Sequence, residues 1–280
     1  AVVFAVVAMG ATTFAWFTLT NTAKVEQFEV QVTTAAGIEL SMDGTSWSSV
    51  LTPSQFAAGL TSQSAIEPAL TAVTTIDGVD FMKLTNLSKA GEGSFVPAAA
   101  GVDFFEFDIY IRTTQANQKI YLSNANTTVD STVIPWLVDN DFTPSTGSAV
   151  TAGSSLNVYP EDAVRIAFDE ASVHVFQVPT AGTNTAGQAF DWDLGALNYY
   201  GVDKGYFESA PAPTDPAGDG DDYAFIGTVK PLGTAYKTEV ATTSGTATDG
   251  YYETTVTVRI WLDGWDQECY NAIFGGLIQI

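Results

Sequence analysis

Basic residues, histidine and cysteine are scarce in this chain, and each shortage removes a class of function. Ten Lys and Arg stand against 32 Asp and Glu, a formal charge of −22 over 280 residues. Such a surface repels the phosphates of nucleic acid and anionic lipid headgroups, so neither is an expected partner. One histidine, His174, and one cysteine, Cys269, cannot supply a zinc ligand set. A single cysteine also rules out an intramolecular disulfide framework, leaving packing, metal or neighbouring subunits to stabilise the fold. Cys269 itself reads as a small buried hydrophobe early in a short apolar helix. No glycine-rich phosphate loop follows a strand pattern, and no Ser or Cys motif marks a nucleophile.

What is present begins with an apolar run. Residues 1–17 (AVVFAVVAMGATTFAWF) carry no charge, and residues 18–22 add none. As a helix, residues 1–19 would reach about 28 Å, near the thickness of a bilayer's hydrocarbon core. The basic region of a signal peptide is missing ahead of this run, so the expectation is that it is retained rather than discarded. An ordered segment that is apolar on every face must be buried on every face, and neighbouring copies can do that. Val2, Val3, Phe4, Val6, Val7, Phe14, Trp16 and Phe17 are the expected assembly residues. A helix is favoured over the first dozen positions, because one continuous strand of 17 residues would be far longer than usual. Thr12, Thr13, Phe14, Trp16 and Phe17 lean towards an extended ending, and a donor strand completing a neighbour's sheet is the rival reading.

From Val25 the period changes to two, as in strands with one buried face. Phe28, Val30 and Val32 alternate with polar residues; Ile38, Leu40 and Met42 follow and close on Asp43-Gly44. Phe105, Phe107, Ile109 and Ile111 alternate with Glu106, Asp108, Tyr110 and Arg112, and Ile120-Tyr121-Leu122 is expected to pair with that strand across the polar turn 113–118. Further strands read at 164–168, 172–178, 223–229, 236–241 and 251–262. Helical signals are few: one turn at 54–59, and a short helix 267–274 with Asp266 as its N-cap. Many short strands without βαβ alternation predict a mostly β protein: a jelly-roll or β-sandwich head over residues 23–280 behind the assembly segment 1–22.

Little chemistry is marked. His174 shares the parity of Ser172 and Phe176 and reads as a strand residue on the more polar face, with no catalytic role. Carboxylates are plentiful, but no pair stands out as the two acids of a glycosidase. Asp215, Asp219 and Asp221 sit with Gly218 and Gly220 in one turn-forming loop, and hard Ca²⁺ takes several oxygens from such a bent backbone. They are candidate calcium ligands, with residues 139–141 (Asp-Asn-Asp) a weaker second cluster. Asn86 and Asn126 each begin an Asn-X-Ser/Thr acceptor pattern for glycosylation.

The run Ala11-Thr12-Thr13-Phe14-Ala15-Trp16-Phe17, followed by a Thr/Asn turn and an alternating strand, resembles the TasA/camelysin group of exported fibre proteins. Phe105-Glu106-Phe107-Asp108-Ile109-Tyr110, the run 193–200 and the run 258–265 look like exported relatives of that group. The resemblance implies a jelly-roll subunit that polymerises outside the cell, often by donating an N-terminal strand. Retention of the apolar run is instead similar to type IV and archaeal pilins, although the acidic residue near the start of bacterial pilins is replaced by Ala5. The expectation is a non-catalytic, extracellular, homopolymeric filament subunit that meets a membrane only before assembly. The alternative is a membrane-anchored adhesin or carbohydrate-binding protein.

Overall fold

The computed structural model describes residues 23–27, 30–31, 37–65, 69–75, 77–84, 95–123, 127–138, 141, 149–177, 230–232, 237–264, 266, 269, 273–274 and 276–280. The segment 1–22 expected to drive assembly, the acidic loop with Asp215, Asp219 and Asp221, the expected acceptors Asn86 and Asn126, and the strand expected at 223–229 lie outside them.

The protein is mostly β, and its sheets are largely antiparallel. The widest sheet has the spatial order Lys230–Pro231, Val173–Gln177, Val164–Asp169, Tyr252–Asp263, Phe105–Thr113, Glu39–Ser41, with Ala72–Val73 beside the end of Tyr252–Asp263. Its two long central strands pair from Tyr252 opposite Thr113 to Ile260 opposite Phe105. The alternation read from sequence is why these segments are strands: Phe105, Phe107, Ile109 and Ile111 are buried, as are Val256, Val258, Ile260 and Leu262. These residues belong to one hydrophobic cluster that runs from Ala23 to Ile278. A smaller apolar layer forms on the opposite face, where Phe81 stacks on Phe104 at 4.2 Å and meets Trp261 edge-on at 5.0 Å.

The pairing expected for residues 120–122 is corrected. Lys119–Ser123 pairs with Lys237–Thr242, not with Phe105–Thr113. The reason is edge occupancy: Phe105–Thr113 is flanked by Tyr252–Asp263 on one side and Glu39–Ser41 on the other. The polar turn is instead tied to Thr243, whose Oγ1 accepts from the Gln118 N–H and donates to the Gln115 carbonyl.

The single turn expected at 54–59 is a full helix, Pro53–Ser62. Thr52 and Gln55 form a capping box, the Gln55 N–H donating to Thr52 Oγ1 and the Thr52 N–H to Gln55 Oε1. Phe56 and Leu60, four residues apart on one face, are buried, and Phe56 meets Phe107 edge-on at 4.9 Å. Gly59 does not stop this helix; it lets the helix lie against Met42. A Cβ at position 59 would stand 2.0 Å from Met42 Cβ. Gly59→Ala, which favours an isolated helix, should therefore destabilise the protein by about 1–3 kcal/mol, as overpacking does. A urea melt checks this; a neutral or raised midpoint would show that the contact relaxes freely.

At the N-terminal side, Ala23–Gln27 lies inside a four-stranded sheet of order Asp130–Ser131, Leu277–Gln279, Ala23–Gln27, Ala69–Leu70. It runs parallel to Leu277–Gln279 and antiparallel to Ala69–Leu70. Ala23 is 0% and Val25 1% exposed, so this strand is part of the core. At the C-terminal side Cys269 is buried, as expected, but stands outside any helix. The Asp266 carboxylate, expected to cap that helix, is buried against Arg165.

Candidate functional site

The polar face of the widest sheet concentrates the charged side chains. Alternation sends Glu106, Asp108, Tyr110 and Arg112 away from the core formed by their apolar neighbours. Arg259, on the adjacent strand, contacts Glu106 Oε2 through Nε at 2.5 Å and Asp169 Oδ2 through Nη1 at 2.9 Å. Burial alone would lower the Arg259 pKa, but the bonds from Asp169 and Glu106 outweigh it and hold the pKa up. Thr257 Oγ1 donates to Asp108 Oδ1 at 2.7 Å. Arg112 pairs with Glu39 at 2.7 Å, with its guanidinium between the rings of Trp47 at 4.3 Å and Tyr251 at 4.0 Å.

A cleft of about 410 Å³ opens beside this face, lined by Gln63, Ser64, Ala100, Gly101, Glu106, Asp108 and Tyr110. Glu39–Ser41 ends opposite Tyr110, which leaves the edge at Asp108 without a strand. The Gln63 side chain takes its place. Its Nε2 donates to the carbonyls of Asp108 and Met42, and its Oε1 accepts from the Asp108 N–H. A primary amide has the donor and acceptor that a strand residue would offer, so one side chain satisfies the edge. The cleft's carboxylates are thus matched by Arg259 and Thr257, an arrangement suited to holding two strands together.

His174 is the only histidine, and its neighbours resemble a nucleophilic triad until hydrogen-bond polarity is considered. Nε2 lies 3.2 Å from Ser172 Oγ and Nδ1 lies 2.6 Å from Lys230 Nζ. An ammonium only donates, so Nδ1 must accept and Nε2 must carry the proton it gives to Ser172. A histidine that activates serine needs the opposite tautomer, with Nε2 free to take a proton. Burial first, and then the Lys230 charge, holds the His174 pKa below its ordinary value. The polar face expected for His174 is also corrected. Phe176, of the same parity, is fully buried, because it lies opposite Ile166 and meets Phe168 edge-on at 5.7 Å.

Two acidic turns are closed on themselves. The Asp43 carboxylate accepts from the Ser46 and Thr45 N–H groups and from both serine hydroxyls, Ser46 and Ser41, which pulls its pKa well below the usual range. Asp77 Oδ1 likewise accepts from Val79 and Asp80 N–H and from Thr75 Oγ1. In the weaker calcium cluster, Asp141 accepts from the Ala152 N–H, while residues 139 and 140 lie outside the described residues. Among the described residues no three acidic, His or Cys side chains are grouped to hold a metal ion.

Glu161 stands apart. It is the second residue of the 3-10 turn Pro160–Ala163, and its Oε2 is buried with no hydrogen-bond partner among the described residues. Burial first, then the charges of Asp162 and Asp130, push its pKa up to about 7. A carboxyl whose folded pKa exceeds its unfolded value of 4.5 stabilises fully below 4.5, and the contribution is lost as pH rises through about 7. His174 works the other way: its lowered folded pKa makes stability rise with pH up to about 6.5. The expected result is therefore a difference. Over pH 4.5–7 the thermal midpoint of Glu161→Gln should gain steadily on the parent. Parallel pH profiles of the two proteins would remove Glu161 from the account.

Sequence reasoning missed Gln63, Glu161 and Lys230. A Gln after a helix and a Glu beside Pro160 carry no local signal, since burial and a free sheet edge define their roles. No protein-family profile, curated protein or solved structure matches the chain.

Proposed function

We propose that this chain is a non-catalytic structural subunit of a self-assembling extracellular filament, with a jelly-roll or sandwich head carried on the apolar segment 1–22. The observation that carries the reading is the attachment. The strand that directly follows the segment lies inside the head's own sheet with Ala23 and Val25 buried, so a load on the segment passes into the core. The reversed tautomer at His174 and the matched charges on the polar face support the absence of catalysis. The partner is the chain itself, and a membrane is met only before assembly.

Sedimentation without detergent, followed by negative-stain electron microscopy, tests the reading: filaments should pellet and be visible. The cleft beside Glu106, Asp108 and Tyr110 favours a second reading, a membrane-anchored adhesin that binds carbohydrate. A monomer that stays in solution only with detergent would favour that reading and sink the first. Asp215, Asp219 and Asp221 are kept as candidate calcium ligands, and Asn86 and Asn126 as glycosylation acceptors. Bound calcium should raise the thermal midpoint by mass action. An unchanged midpoint with chelator, and with Asp219→Ala plus Asp221→Ala, would reduce the loop to a solvated turn; intact-mass measurement settles the acceptors.

A further inference from the structure

The hairpin Ile134–Leu137 and Ser155–Val158 has two unlike faces. Ile134, Trp136 and Leu156 pack inward against the core, and Val158 is buried in it. The register sets Ile134 opposite Val158, and Val133 and Tyr159 each lie one residue beyond that last pair. Outward the hairpin shows Val133 at 42%, Leu137 at 68% and Tyr159 at 38% exposure, together with exposed Pro135 and Asn157. Leu277, 38% exposed, borders this face, its carbonyl accepting from the Thr132 N–H. In a chain of net charge −22, this outward face carries no charged residue. An uncharged apolar shelf in an acidic surface suits an occupant that is itself apolar and uncharged.

Residues 1–17 are that kind of segment. Strand directions bring the segment's root to the same end of the molecule. Ala23–Gln27 is parallel to Leu277–Gln279, which is antiparallel to Asp130–Ser131, so Ala23 stands at the end of the sheet where the chain runs through Thr132 into Val133. Two strand spacings put that root about 10 Å from Val133, and four or five extended residues span the hairpin's length. The residues nearest the root are Thr18, Leu19, Thr20, Asn21 and Thr22, four of them polar. As mostly polar residues they are a poorer chemical match to the shelf than residues 1–17. This mismatch favours the segment of another copy as the occupant.

We infer that the outer face of this hairpin is the seat on each head for the apolar segment of a neighbouring copy. This rests on the filament reading and names the surface that reading needs. The test uses full-length chains in a Cys269→Ala background, one carrying Phe17→Cys and the other Leu137→Cys. The two are mixed, assembled and treated with a short bismaleimide. The expected product is a cross-linked dimer joining position 17 of one chain to position 137 of another. Maleimide labelling of Leu137→Cys should also fall about ten-fold on assembly, as when an exposed site becomes covered. Filaments that form without this cross-link, and with unchanged labelling, overturn the seat but leave the filament reading intact. A link found only within single chains of a Phe17→Cys and Leu137→Cys double variant overturns it in favour of the chain's own segment. If the parent protein forms no filaments by microscopy, the filament reading fails and the seat falls with it.

Discussion

Deleting residues 1–17 is expected to abolish polymerisation while leaving a soluble, cooperatively melting head. Val2, Val3, Phe4, Val6, Val7, Phe14, Trp16 and Phe17 form an uninterrupted uncharged stretch. Moving each large side chain from water into a packed interior contributes about 1.5–3 kcal/mol, a gross term large enough to hold a polymer even after ordering costs. Losing it leaves heads whose large net negative charge opposes association. The head keeps its own anchor strand, because Ala23 and Val25 are buried within it and are not removed. Analytical sedimentation and negative-stain images of the truncated chain decide the matter. Fibres of unchanged appearance would show that assembly resides in the head.

The second large effect is expected at the Arg165–Asp266 pair. Both side chains are completely buried, and Arg165 lies on the strand Val164–Asp169 opposite Trp261. Asp266→Ala would leave the guanidinium in the interior without its carboxylate. Breaking a buried pair from one side costs about 3–5 kcal/mol, because the remaining charge loses the carboxylate that directly faces it. Replacing both partners, Arg165→Met with Asp266→Leu, removes the charge as well as the bond and should cost much less. The comparison separates the pair's net contribution from the penalty of orphaning one member. Equal midpoints for the single and double variants in a denaturant series would show that Arg165 finds another partner.

The strands at 105–113, 164–169, 173–177, 237–242 and 252–263 were legible because a two-residue period with one apolar face is a local property. It follows from which side chains must leave water, and each segment carries it alone. Burial of Cys269 and the turn at Asp43-Gly44 were legible for the same kind of reason. Partner choice was not. Residues 119–123 have a strand's pattern, but their neighbour depends on which edges other strands have already taken, and next to the turn, at Tyr110–Arg112, both edges of Phe105–Thr113 are occupied. Gly59 reads locally as the last residue of a single turn; only the approach of Met42 makes it a packing requirement. Gln63 serves as a surrogate strand residue for Asp108, 45 positions away, and Arg165 meets Asp266 across 101. Such contacts depend on what burial has brought together and which hydrogen-bonding groups it would otherwise strand. The period of a segment therefore decides that it is a strand, while the competition for edges and for buried polar groups decides what that strand touches and, as at His174 and Phe176, which of its faces is buried.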